Sequence, residues 1–162
     1  MAAVSPFLVS VGDILPDSGH RPIEIAEIVD WSLELSRVTE FDATLTLQGA
    51  SGSLVLTGRL RATVHHTCNR CVAEWDEAVE VETLESIGAD PAGAYMIDGE
   101  VADLEPPLRD ALLMALPTSP QCRSDCLGLC DRCGADLNTG ACPGHDDDVE
   151  SPFSSLYELL EP

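Results

Sequence analysis

Polar and apolar residues alternate along much of this chain with the two-residue period of half-buried β-strands. Ala43-Thr-Leu-Thr-Leu-Gln48 alternates without a break, Gly49-Ala-Ser-Gly52 reads as a turn, and Ser53 to Thr67 is a long β-prone run. Residues 73–87 alternate again. Three such strands joined by two short turns predict an antiparallel meander. Upstream, residues 5–11 suggest a first short strand, and residues 12–22, rich in Gly, Asp and Pro, a loop. Residues 23–35 carry Ile23, Ile25, Ile28, Val29, Trp31, Leu33 and Leu35; strand and helix both fit, and the alternation at the two ends favours strands. Residues 88–100 read as loop with a short strand around Tyr95–Ile97. The period then changes. Leu104, Leu108, Ala111, Leu112, Ala115 and Leu116 recur at helical spacing, which predicts a helix over 103–116 with its stripe against the sheet. Asp103 can cap it, Pro106 and Pro107 suit its first turn, and Pro117 ends it. Residues 151–160 read as a short terminal helix.

Seven cysteines interrupt this pattern, six of them in close pairs and the seventh three residues before a histidine. Cys68 and Cys71 form a C-x-x-C on the turn between the last two meander strands. Cys122, Cys126, Cys130 and Cys133 follow the helix, then Cys142 and His145. Structural zinc takes four soft or borderline ligands, and pairs at this spacing fit its tetrahedron. Cys130-Asp-Arg-Cys133-Gly134 is the sharpest signal: two cysteines on a tight turn reach one ion while glycine lets the turn close. Two partitions stand open. A compact site would use Cys122, Cys126, Cys130 and Cys133 and leave Cys68 and Cys71 without a role. A split arrangement uses every ligand: Cys68, Cys71, Cys122 and Cys126 around one ion, and Cys130, Cys133, Cys142 and His145 around another. The split is the one favoured here. His65 and His66 alternate to opposite strand faces, and one of them is a ligand only if this partition is wrong. A redox dithiol at Cys130 and Cys133 would need a strand before its C-x-x-C and a helix after it, which neither flank of that pair suggests. Four thiolate or imidazole ligands leave no open position for Lewis-acid chemistry, so one or two zinc ions would be structural. No nucleophile elbow, H-E-x-x-H or Gly-rich phosphate loop is present, and no enzyme activity is expected.

The predicted fold class is therefore α+β. An antiparallel β-meander or partly closed sheet, packed by an amphipathic helix, precedes a zinc-ribbon-like module. The expected divisions are 1–117 for the sheet domain, 118–150 for the cysteine-rich module and 151–162 for the terminal helix. A chain of 162 residues is long enough for a real core, and with 4% aromatics that core must be aliphatic. The charge is extreme: 29 acids against 8 bases, every base an arginine, for a net −21. Such a chain is repelled by phosphate backbones and suits a basic partner, although the same charge also serves solubility. Glu74, Asp76, Glu80, Glu82 and Glu85 line the polar side of the last strand. The row is what a solvated strand face looks like; it is also a docking face for a basic partner, with Glu74, Asp76, Glu80 and Glu82 as the expected contacts. Against that, Arg70, Arg123 and Arg132 lie inside the three cysteine-rich turns and can pair with phosphate, which favours direct RNA contact. Met1 to Phe7 has no basic start, and the longest apolar run, Ala111 to Leu116, is far too short to span a bilayer. A cytoplasmic protein with reduced thiols is expected, with no membrane partner.

The order of these pieces resembles a known family. A meander carrying C-x-R-C leads into an acidic segment, a helix ending Ala115-Leu116-Pro117, and then C-x3-C-x-G-L-C-x2-C-G-x-x-L-N, closing on residues 151–160. This is similar to the YceD family, also called domain of unknown function 177 or large ribosomal RNA subunit accumulation protein. The resemblance is most specific from Leu112 to Asn138. It implies a part in synthesis, processing or stability of 23S ribosomal RNA, and a gene beside that of a small basic large-subunit ribosomal protein. Some relatives lack much of the C-terminal cysteine cluster but keep the C-x-x-C matching Cys68 and Cys71, which implies two separable sites. No catalytic residue carries over. The implied partner is a basic ribosomal protein or large-subunit precursor; direct binding of precursor rRNA is the alternative.

Overall fold

The structure is a computed structural model that describes residues 5–15, 19–88 and 95–145. Four long strands, β2 (His20–Leu33), β3 (Ser36–Ala50), β4 (Ser53–Thr67) and β5 (Glu74–Ile87), form its main element. They pair as an antiparallel sheet in the order β2-β3-β4-β5. Three short strands, β1 (Leu8–Ser10), β6 (Ile97–Asp98) and β7 (Val101–Asp103), make a smaller antiparallel sheet in the order β1-β7-β6. Among the described residues one α-helix, α1 (Glu105–Ala115), follows. The class is α+β, mostly antiparallel sheet with one helix. The expectation of a partly closed sheet is corrected: β2 and β5 remain separate edges and the sheet is open. The short terminal helix expected over 151–160 lies outside the described residues.

Strict alternation places one face of the large sheet in the core. Leu54, Leu56, Leu60, Val64 and His66 of β4 are buried, as are Ala43, Leu45 and Leu47 of β3. Burying aliphatic side chains of this size is worth about 1.5–3 kcal/mol each. The helix closes that core with Leu104, Leu108, Leu112 and Leu116, a stripe that is buried throughout. Ala115, expected in the stripe, is the last residue of the helix and is exposed. Phe7, Trp31 and Phe41 meet at centroid distances of 5.1–6.1 Å and join the first segment to the sheet. Trp31 Nε1 donates to Glu105 Oε1 at 3.3 Å, fixing the start of the helix against β2.

Two expectations about boundaries are corrected. Asp103 belongs to β7 and the helix begins at Glu105, with Leu104 as N-cap. The Asp103 carboxylate still accepts from the Glu105 backbone N–H at 3.0 Å, so it caps from one position further out. Glu85 does not share the carboxylate row. The β4–β5 register has no break, so Glu85 stands opposite Leu56 on the core-facing side, half-buried, while Leu84 takes the outward position at 72% exposure.

Candidate metal centres

The turn between β4 and β5 and the turn between Leu129 and Asp136 are built alike. In the first, the Cys68 N–H donates to Ala73 O at 2.8 Å and the Val72 N–H to Cys68 O at 3.0 Å. In the second, the Cys130 N–H donates to Ala135 O at 2.8 Å and the Gly134 N–H to Cys130 O at 2.8 Å. The residue after the second cysteine has positive φ in both: Val72 at 62° and Gly134 at 71°. Glycine adopts that conformation freely, whereas a β-branched valine is strained there. Each turn thus points two sulfurs to one side while its amide groups turn inward. The Arg70 N–H lies 3.4 Å from Cys68 Sγ.

Long-range packing completes each set. The chain leaving α1 passes the first turn, where the Asn69 N–H donates to Pro120 O at 2.9 Å. This brings Cys71 Sγ to 3.6 Å from Cys122 Sγ, and Cys68 Sγ to 3.9 Å from Cys126 Sγ. The Leu129 N–H then donates to Arg70 O at 2.9 Å, so the loop 127–129 lies across the first turn. Gly128 permits this approach: its φ is 81°, and a Cβ there would stand 3.1 Å from Arg70 O. In the second set His145 Nε2 lies 3.2 Å from Cys130 Sγ and 3.4 Å from Cys142 Sγ, and Cys133 Sγ lies 3.9 Å from Cys142 Sγ.

Two quartets result: Cys68, Cys71, Cys122 and Cys126, and Cys130, Cys133, Cys142 and His145, with the ligand atoms of each within 4.8 Å of one another. The compact alternative, Cys122 and Cys126 with Cys130 and Cys133, is not what the chain assembles. Sulfurs at 3.6–3.9 Å are too far apart for disulfides, whose S–S length is about 2.05 Å, and all seven cysteines are free. They match a tetrahedron: metal–sulfur bonds of about 2.3 Å give edges of about 3.8 Å. Both quartets can hold a metal ion. The first offers four sulfurs and the second three sulfurs with one imidazole nitrogen, donor sets that suit soft or borderline metals.

Electrostatics agree with a cation at each centre. Burial pushes the Cys68 thiol up, but backbone donation from Cys122, Cys71 and Arg70 outweighs it and leaves the thiol at about 6. Backbone donation from Cys133 and Arg132 likewise holds Cys130 at about 6 against burial. Once one sulfur in a quartet is ionised, its neighbours resist. Burial together with the thiols of Cys71, Cys126 and Cys68 drives Cys122 up to about 12. Cys142 is also raised, where burial and the thiols of Cys130 and Cys133 outweigh donation from the Gly144 backbone. A divalent ion removes that conflict and lets the whole set ionise.

One residue that cysteine spacing does not reveal links the two quartets. Asn138 lies in a 3-10 turn (Leu137–Thr139) between Cys133 and Cys142. Its Nδ2 reaches Cys126 Sγ at 3.6 Å, and its Oδ1 accepts from the Arg123 guanidinium at 2.7 Å and the Leu127 N–H at 2.8 Å. Asp136 Oδ1 accepts from Asn138 Nδ2 at 2.6 Å and holds the amide in place. The only sequence hint is the Asn that ends C-G-x-x-L-N.

The other candidate residues fall elsewhere. His65 and His66 join neither quartet. His65 Nδ1 is 2.8 Å from Asp76 on the outer face, and His66, buried, has Nδ1 2.8 Å from Ser36 Oγ. Of the carboxylate row, Glu80 pairs with Arg61 at 2.7 Å and Arg59 at 3.1 Å, Glu82 with Arg59 at 3.4 Å, and Glu74 lies 3.8 Å from His65. Arg70, Arg123 and Arg132 are all exposed around the two centres, with Arg123 committed to Asn138 and to Asp125 at 3.3 Å. Among the described residues no helix is long and apolar enough to cross a membrane.

An open antiparallel sheet, one covering helix and two cysteine-rich quartets define an α+β domain tied to a module that can hold metal. The chain belongs to the family described as "Large ribosomal RNA subunit accumulation protein YceD", which it matches over residues 56–160. That span begins inside β4 and takes in all eight residues of the two quartets. The family's description supports a role in producing the large ribosomal subunit and names no reaction. The chain is also similar to uncharacterized proteins of Mycobacterium bovis and Mycobacterium tuberculosis, each 32% identical across 91% of this chain and 74% of theirs. An uncharacterized protein of Mycobacterium leprae is 28% identical across 96% of this chain and 72% of its own length. No solved structure matches.

Proposed function

We propose that this chain is a non-enzymatic, cytoplasmic factor in large-subunit assembly, stapled by two structural zinc ions. It binds a basic ribosomal protein or assembly intermediate and thereby supports synthesis, processing or stability of 23S rRNA. The family description supports the setting. The observation that carries the partner is the outward face of the four-stranded sheet. It bears Glu24, Asp30, Glu40, Asp42, Glu74, Asp76, Glu80 and Glu82 against Arg37, Arg59 and Arg61. A face so acidic repels phosphate and steers basic proteins towards it.

Zinc is the reading of the donor sets because both shells are closed by thiolate and imidazole, leaving no position for substrate. The zinc would supply cross-linking, and Asn138, Arg70 and the turn amides would orient its ligands. Binding of the zinc-loaded chain to purified basic large-subunit ribosomal proteins tests the reading. Affinity should fall about tenfold or more as salt rises from low to high. Salt-insensitive binding, or binding of precursor rRNA that Arg70→Ala, Arg123→Ala and Arg132→Ala together abolish, overturns it in favour of the RNA reading.

A further inference from the structure

The outward face of the large sheet is not uniformly polar. A groove of about 910 Å³ crosses it, with side chains from all four strands: Ala26 and Ile28 of β2, Glu40 and Asp42 of β3, Thr63 of β4 and Ala78 of β5. Register breaks between Ile28 and Trp31 and between Val38 and Glu40 fall beside it. Such bulges bend and twist strands, which hollows the face here. The floor carries short side chains, and Ala78 interrupts the carboxylate row between Asp76 and Glu80. Ile28 stands at its edge 88% exposed, the most exposed large apolar residue among those described. The carboxylates of Glu40, Asp42 and Glu80 line the groove on this face against a single guanidinium among the described residues, that of Arg61.

We infer that this groove, rather than the β5 carboxylate row, receives the partner, and that the occupant is an extended protein segment carrying Lys or Arg around one apolar side chain. The inference rests on the basic-protein reading above and narrows it to a place. Four strands span three spacings of about 4.8 Å, or about 14 Å; an extended segment rises about 3.3 Å per residue, so four or five residues cross it. Alternation places an apolar side chain of that segment down onto Ala26 and Ile28 of β2, while the segment's other end crosses Thr63 to the gap at Ala78. Its cationic neighbours then reach Glu40, Asp42 and Glu80 at the walls. RNA is disfavoured by the same carboxylates, since phosphate would face three acids and one arginine.

The test uses the zinc-loaded full chain and a labelled seven-residue peptide of Arg and Lys with one central Leu, followed by anisotropy. Ala78→Arg, which fills the floor and reverses its charge, should weaken binding about tenfold or more. Ile28→Asp, at a site exposed enough to leave folding intact, should weaken it about threefold or more; replacing the peptide's Leu by Gly should do the same. Glu74→Gln with Asp76→Gln, on the same face outside the groove, should change affinity less than about twofold. Unaltered binding by both groove variants, or a larger loss from the Glu74/Asp76 pair, overturns the groove while leaving the basic-protein reading in place. Failure of the unmodified chain to bind either this peptide or basic ribosomal proteins, with binding of a precursor rRNA fragment instead, overturns both.

Discussion

The two quartets share one turn geometry and differ in what surrounds them. Cys68 and Cys126 are 1% exposed, and their quartet joins the β4–β5 turn, the exit of the helix and the cysteine-rich loop. The second quartet buries one ligand, Cys130, where the first buries two; Cys133 is exposed, Cys142 half-buried, and its ligands come only from residues 130–145. The first is thus a staple between distant parts of the fold and the second a closure of one local loop. Cross-linking distant segments removes more freedom from the unfolded chain than closing a short loop does.

The largest expected effect breaks the staple. Cys126→Ser should cost about 3 kcal/mol or more in denaturant unfolding, because it removes a buried ligand together with the ion it holds. Cys133→Ser should release one ion and leave the unfolding midpoint of the sheet close to the unmodified value. Equal losses from the two would erase the distinction.

Asn138→Ala comes next. It deletes the amide that faces Cys126 Sγ and anchors Arg123 and Leu127, so the first ion should bind about 10–100-fold more weakly in chelator competition. The second ion should be held about as before.

Backbone strain offers a smaller and reciprocal test. Val72→Gly should stabilise the first turn by about 1 kcal/mol by relieving a positive φ, and Gly134→Val should cost the second turn a similar amount. Thermal unfolding of the zinc-loaded proteins reads both signs.

Acid affects the two turns equally, which is the weakest discriminator. Cys68 and Cys130 are each lowered from the ordinary 9.0 to about 6. A depressed pKa contributes stability that is full above the unfolded value and lost as pH falls through the folded one. In metal-free protein, thiolate absorbance should therefore disappear as pH falls through about 6, at both sites together. Titration near the ordinary value would show that the turn amides do not stabilise the thiolates.

Much of the molecule is legible in its sequence, for identifiable reasons. Residues 43–87 alternate cleanly because one sheet face meets the core and the other water, so their strands and turns can be read directly. The β2 strand is ambiguous in sequence because its register break puts Ile28 and Val29 side by side and spoils the alternation. β3 begins at Ser36, well before the alternating run at Ala43, for a similar reason: its own break lies between Val38 and Glu40. The strands of the small sheet are two or three residues long, too short for any period to emerge. At the centres, cysteine spacing points to pairs, but the pairing between pairs depends on Pro120 meeting Asn69 and Leu129 meeting Arg70. Those contacts are tertiary and leave no local trace. Charge alone assigns Glu85 to the acidic row, whereas strand parity puts it on the opposite face. The same parity leaves Ala78 outward as the gap on which the groove depends.

The most direct test is zinc per chain by elemental analysis on protein purified without chelator. Two ions in the unmodified chain and one in Cys133→Ser are expected, one for each quartet. A single ion or none in the unmodified chain, or loss of both from Cys133→Ser, would contradict two independent staples.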